Sequence, residues 1–194
     1  LPPDHVMAAR DVWRYPFDPS QARMLLDSAG YDRRDADGMR LAPDGQPMVL
    51  ELLCSSQEVR LAELIRQRLQ AVGMHLAIRS VDGKTRDARV RSFDYQIAIL
   101  GHGGWGSDPD YLTARFAGHV LDQNAAPSHS GLPGFHPPEL MDLLRRQQTA
   151  IDPAERRSLI AAIQQELAAQ VPEIPLFYTT GYTVYRPAQY DGWM

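Results

Sequence analysis

The sequence predicts an α/β fold, an open mixed sheet with helices on both faces. Three observations carry that expectation. Residues 48–53 form a short, nearly all-apolar run, the pattern of a strand covered on both sides. Leu61, Leu64, Ile65, Leu69 and Val72 then keep helical spacing up to Gly73. Beyond it Met74, Leu76 and Ile78 alternate with His75, Ala77 and Arg79, a second strand carried to Val81. Strand, helix and strand in this order imply a right-handed crossover between parallel neighbours.

The remaining elements follow in chain order. Residues 1–17, with Pro2, Pro3 and Pro16 and the aromatics Trp13, Tyr15 and Phe17, read as a connecting segment. A helix starts at Asp18-Pro19-Ser20-Gln21, where Asp18 can accept the first free amides and Pro19 suits the first turn. Gln21 completes a capping-box pattern, Ala22, Leu25, Leu26 and Ala29 share one face, and Gly30 ends the helix. Asp37-Gly38 and Asp44-Gly45 are hairpin-type signals within the charged stretch 31–47. A short helix near 83–91 leads into a third strand, 95–100. Residues 118–136 read as a long polar loop holding His119, His129 and His136. A helix from Pro138 aligns Leu140, Leu143, Leu144 and Gln147. Another opens with the capping pattern Asp152-Pro153-Ala154-Glu155 and aligns Leu159, Ile160, Ile163 and Leu167. Residues 173–178 and 182–185, around Gly181, are expected as two short strands or one extended return.

Composition narrows the function classes. With 194 residues, 44% hydrophobic and 23% charged, the chain can bury a sizeable core as an ordinary globular domain. A net charge of −4 gives no reason to expect nucleic acid or an anionic membrane as partner. The single Cys54 excludes an internal disulfide, and its place at the end of an apolar run favours a buried structural thiol over a nucleophile. The start at Leu1-Pro2-Pro3, without a signal-peptide pattern, is expected of a mature product or an excised piece.

The stretch 93–112, FDYQIAILGHGGWGSDPDYL, is the most informative. It leaves a strand, passes Gly101, Gly103, Gly104 and Gly106 around Trp105, and restarts as a helix at Asp108-Pro109. A loop beyond the carboxyl end of a strand is where open α/β sheets place ligands. An indole among glycines is read as a cleft-facing platform in preference to core packing, able to stack on a peptide bond, a sugar or a cation. The glycines allow backbone to approach a ligand, although plain loop flexibility explains Gly101 and Gly106 equally well. Asp108 suits capping of the helix begun by Pro109, and Asp110 in its first turn complements the helix dipole.

Enzymatic and metal readings fare poorly. Ser55 and Ser56 lack a surrounding G-x-S-x-G, Gly101–Gly104 is not a dinucleotide fingerprint, and no phosphate-binding P-loop appears. Ser55 is read as an N-cap for the helix through Leu61. The histidines at 102, 119, 129 and 136 with Asp108 and Asp110 match no dedicated metal spacing, so no metal or other cofactor is expected. A metal-dependent hydrolase using that set stays a minor alternative.

The ordered set YPFDPSQARMLLDSAGY, LQAVGMHLAIRSV, FDYQIAILGHGGWGSDPDYL, the late helix pair through IDPAERRSLIAAIQQEL, and VPEIPLFY resembles the family 5 extracellular solute-binding proteins. These are the oligopeptide-, dipeptide- and nickel-binding receptors of bacterial ABC importers. The resemblance covers nearly the whole chain and implies one lobe, the carboxy-terminal one, of a periplasmic-binding-protein type II fold. On that basis 1–17 is a connecting segment, 18–186 the ligand-binding lobe, and 187–194 the start of a return to a missing amino-terminal lobe. It further implies a monomeric, non-enzymatic, periplasmic or membrane-anchored extracellular component. Its expected partners are a small solute, foremost a peptide, and a membrane permease. In peptide-binding relatives an acid just after the tryptophan loop holds a ligand ammonium, and Asp108 stands at the matching place. Capping and ammonium binding are compatible, since a carboxylate can accept from both. His102, Gly103, Gly104, Trp105, Ser107 and Asp108 are therefore the candidate ligand-binding residues. Nickel-binding relatives add a histidine from a mobile loop, for which His119 or His129 is comparably placed. A ligand-sensing domain of a transcription regulator is the alternative from another class.

Overall fold

The structure, a computed structural model, describes residues 1–101, 108–121, 135–178, 184 and 186. Its elements are α1 (Pro19–Ser28), β1 (Val49–Ser55), a single 3-10 turn (Ser56–Glu58), α2 (Val59–Gln70), β2 (His75–Val81), α3 (Gly83–Arg91), β3 (Ile97–Ala98), α4 (Tyr111–Leu121), α5 (Pro138–Thr149) and α6 (Pro153–Gln170). The strands form one parallel sheet in the order β2-β1-β3. Its apolar cluster joins Leu52 and Cys54 of β1, Ala62 of α2, Leu76 of β2 and Ile99. Leu61, Ile65 and Leu69, three of the helix-spaced residues, pack against it. Cys54 is fully buried, as expected of a structural thiol, and burial pushes its pKa up.

A second cluster belongs to the helices. Leu112, Phe116 and Ala117 of α4 meet Leu140, Met141 and Leu144 of α5 and Ile160 and Ile163 of α6. The two aspartates cap their helices as the sequence suggests. Asp18 accepts the Ser20 and Gln21 amides at 2.9 Å, and Asp152 accepts those of Ala154 and Glu155 at 3.2 Å. The hairpin signals deliver positive φ at Gly38 and Gly45, with antiparallel bridges Arg34↔Arg40 and Leu41↔Pro47.

Arg40, in that hairpin, is fully buried. It pairs with Asp27 at 2.5 Å and donates to the carbonyls of Val72 (2.8 Å), Arg23 (3.2 Å) and Tyr31. One guanidinium thus fastens α1 and the hairpin to the end of α2, a fixed fork meeting several acceptors at once. Leu1 and Met7 of the opening segment pack against the helical cluster, and Gln164 of α6 binds that segment at Met7 O and Ala9 N.

Four expectations need correction. The third strand is two residues, not six, although the Ile99 amide still donates to Leu53 O at 2.9 Å. Gln96 spends its side chain on the Glu51 amide, which occupies a donor that further pairing would use. Residues 118–121 belong to α4 and not to the loop expected there; one helical glycine, Gly118, costs about 1 kcal/mol and does not stop a helix. The face read for α1 is not a core face, since none of its residues is buried and Leu25 is exposed. Of the two forms expected for 173–178, the strand is not formed; Pro172 and Pro175 lack the amide hydrogens a ladder needs. The partner stretch 182–185 lies largely outside the described residues.

Candidate functional site

A 2-1-3 parallel order has its topological switch point between β1 and β3, where the connections from neighbouring strands depart to opposite faces of the sheet. The segment anticipated to bind ligand leaves β3 at that carboxyl edge. Gly101 is exposed, while His102, Gly103, Gly104, Trp105 and Ser107 lie outside the described residues. Asp108 leads through a turn at Pro109-Asp110 into α4.

Asp108 is exposed, and it serves as a local cap: its Oδ1 accepts the Asp110 amide at 2.9 Å. The sequence did not anticipate its second partner. Arg156, in the first turns of α6, grips the carboxylate with both prongs, Nη2 to Oδ1 at 2.7 Å and Nη1 to Oδ2 at 3.3 Å. Arg156 holds the Asp108 carboxyl below the usual carboxylate range, helped by the Asp110 amide and by the charge of nearby His5.

Behind the pair stands Gln147 of α5, only 1% exposed. Its amide nitrogen donates to Asp110 Oδ1 at 2.8 Å and Thr113 Oγ1 at 2.9 Å. Its carbonyl oxygen accepts from Arg156 Nε and Nη2, both at 3.3 Å. The helical spacing put Gln147 on the core face of α5, but a lone glutamine gives no signal of its partners. Arg156 was hidden for a similar reason, as one of two adjacent arginines, Arg156 and Arg157, after an acidic cap.

The other bank of the switch point is formed by the end of β1. Register pairs Leu53 with Ala98, so Ser55 stands level with Leu100. Ser55 caps the 3-10 turn, and its amide donates to Glu58 Oε2 at 2.7 Å. Arg86 of α3 donates to both Glu58 oxygens at 2.7 and 2.9 Å. Burial pushes the Glu58 carboxyl up, but Ser55 and Arg86 outweigh it and the net shift is downward.

Other places offer less. An open concavity of about 540 Å³ lies at the α5–α6 turn, lined by Arg146, Ile151, Asp152 and Glu155 among others. Asp152 there is spent on capping α6, and Arg146 on Asp142 at 3.6 Å. Among the described residues no group of three or more His, Cys, Asp or Glu side chains could hold a metal ion. Nor, among them, is any helix long and apolar enough to cross a membrane. His129 lies outside the described residues, as does the side chain of His119.

The chain is 27% identical over 188 residues to di/tripeptide-binding protein 4 of Pseudomonas aeruginosa, covering 95% of this chain and 33% of that protein. It spans about a third of the length of the curated relatives it matches first. The oligopeptide-binding protein AppA of Bacillus subtilis, solved with a nonapeptide, superposes with a TM-score of 0.73 at 17% identity. That match covers 88% of this chain and 34% of AppA. The periplasmic binding protein MelB of Agrobacterium fabrum, solved with stachyose, gives 0.70 at 20% identity over 86% of this chain and 27% of MelB. These two superpositions establish the fold alone. Residues 1–123, well over half the chain, match the family described as bacterial extracellular solute-binding proteins, family 5 Middle. The chain belongs to the family 5 bacterial extracellular solute-binding proteins.

Proposed function

We propose that this chain is one lobe of the substrate-binding component of an ABC importer, working outside the cytoplasmic membrane. It takes a short peptide in a cleft that a second lobe closes from the opposite side, and the closed form docks on a membrane permease. The single observation that carries the reading is Asp108, an exposed, ionised carboxylate held from two sides by the Asp110 amide and Arg156. One Oδ2 lone pair remains beyond the bonds to Asp110 and Arg156, which suits a ligand ammonium. Trp105 supplies a stacking surface in this scheme. Gly103 and Gly104 bring backbone close to the peptide, and His102 and Ser107 add polar contacts. The relatives named for di- and tripeptide binding support peptide over sugar or chelated metal. No step of catalysis belongs to this reading.

Calorimetry on the protein at its native length tests it. Trialanine should bind, and Asp108→Asn should weaken it about tenfold to a hundredfold, the worth of one charge-assisted hydrogen bond. N-acetyltrialanine should bind weakly to both forms. Equal affinity for the free and the acetylated peptide would remove Asp108 from the site.

A further inference from the structure

We propose that Arg156 is a positioning residue for ligand recognition, acting through Asp108 and not on the ligand; this rests on the reading of Asp108 above. An exposed aspartate ordinarily exchanges rotamers freely, so it offers an ammonium no fixed target. Here the carboxylate plane is set from two sides, by the Asp110 amide at 2.9 Å and by the two-pronged Arg156 contact. An exposed ion pair by itself is worth little, because long side chains must be ordered to form it. Arg156 differs in having its ordering done in advance. Gln147, buried between α4 and α6, takes both Nε and Nη2 of the guanidinium on one oxygen.

The same glutamine amide is locked in turn by Asp110 and Thr113 of the α4 entry. Asp108 and its support are thereby referenced to one rigid frame, the α4–α5–α6 cluster built on Leu112, Leu144 and Ile160. A preorganised acceptor spares the ligand the cost of ordering it, which is where such a residue contributes affinity. Lysine cannot reproduce the effect, since a point charge lacks the planar fork that fixes both carboxylate oxygens.

The test uses the native-length protein with trialanine and N-acetyltrialanine as probes, and melting curves to confirm folding. Arg156→Gln should lower trialanine affinity about tenfold and leave N-acetyltrialanine within about twofold of the parent protein, since the acetylated probe makes no use of an oriented carboxylate. Arg156→Lys, which keeps the charge and protects against loss of fold, should fall between parent and Arg156→Gln. Two results overturn the proposal: an equal loss for both probes, which is a structural effect, or a gain for trialanine, which makes Arg156 a competitor for Asp108. Asp108→Asn run beside them separates the cases. If it too fails to discriminate the probes, the site reading under Proposed function falls; if it discriminates while Arg156→Gln does not, only the positioning role falls.

Discussion

Gly73 and Gly83 look alike in the sequence and differ in what surrounds them. Gly73 sits between α2 and β2 with φ of +86°, and a Cβ there would collide with the Arg34 guanidinium and come within 3.1 Å of Arg40 Cγ. Gly83 opens α3, and a Cβ would meet nothing within 4 Å. Gly73→Ala should therefore destabilise by about 1–3 kcal/mol through backbone strain and displacement of the buried arginine. Gly83→Ala should be neutral or stabilise by up to about 1 kcal/mol by restricting the unfolded chain. Urea denaturation of both variants checks the contrast, and equal effects would contradict it. The same division between a residue and its surroundings limits what the sequence says about the site. The position of Asp108 before Pro109 pointed to a cap, while its role as a candidate anchor came from the family resemblance. Its grip by Arg156, 48 residues away, depends on how α6 crosses α4 and leaves no local trace.

Elements with a strong period were legible, and those with a mixed message were not. In α5 the spacing of Leu140, Leu144 and Gln147 matches the buried face closely, and Leu144 is fully buried against α4 and α6. Leu144→Ala should cost about 2–5 kcal/mol, read as a shift of the denaturation midpoint. An effect below about 0.5 kcal/mol would mean the three-helix cluster is not the core described. In α1 an equally plausible apolar face remains uncovered, because periodicity says which residues share a side but not whether anything packs there. At the third strand, residues 95–100 form a mostly apolar run, yet pairing with β1 is limited to Leu52↔Ile97 and Leu53↔Ala98 plus the Ile99 amide. Partner geometry ended that strand, and propensity had no say.

At the scale of the whole chain, large apolar side chains are unusually accessible. Phe17 is 75% exposed, Ile174 73% and Phe177 66%. The chain also covers about a third of the length of its curated relatives. On the two-lobed reading the 194 residues alone hold only one wall of the cleft and cannot enclose a ligand. Trialanine at about millimolar concentration should then leave the melting temperature of this chain by itself unmoved, since stabilisation requires ligand in excess of its dissociation constant. Tight binding by this chain unaided would overturn the reading.

Ile99, just past β3, is held to the sheet by its amide bond to Leu53 O. Asp108 is held to the three-helix cluster through Arg156 and Gln147. Ile99 and Asp108, close in sequence, therefore rest on two separate apolar clusters. A substitution deep in the helical cluster, such as Leu144→Ala, should thus reach Asp108 through Arg156 and Gln147 without altering either of them.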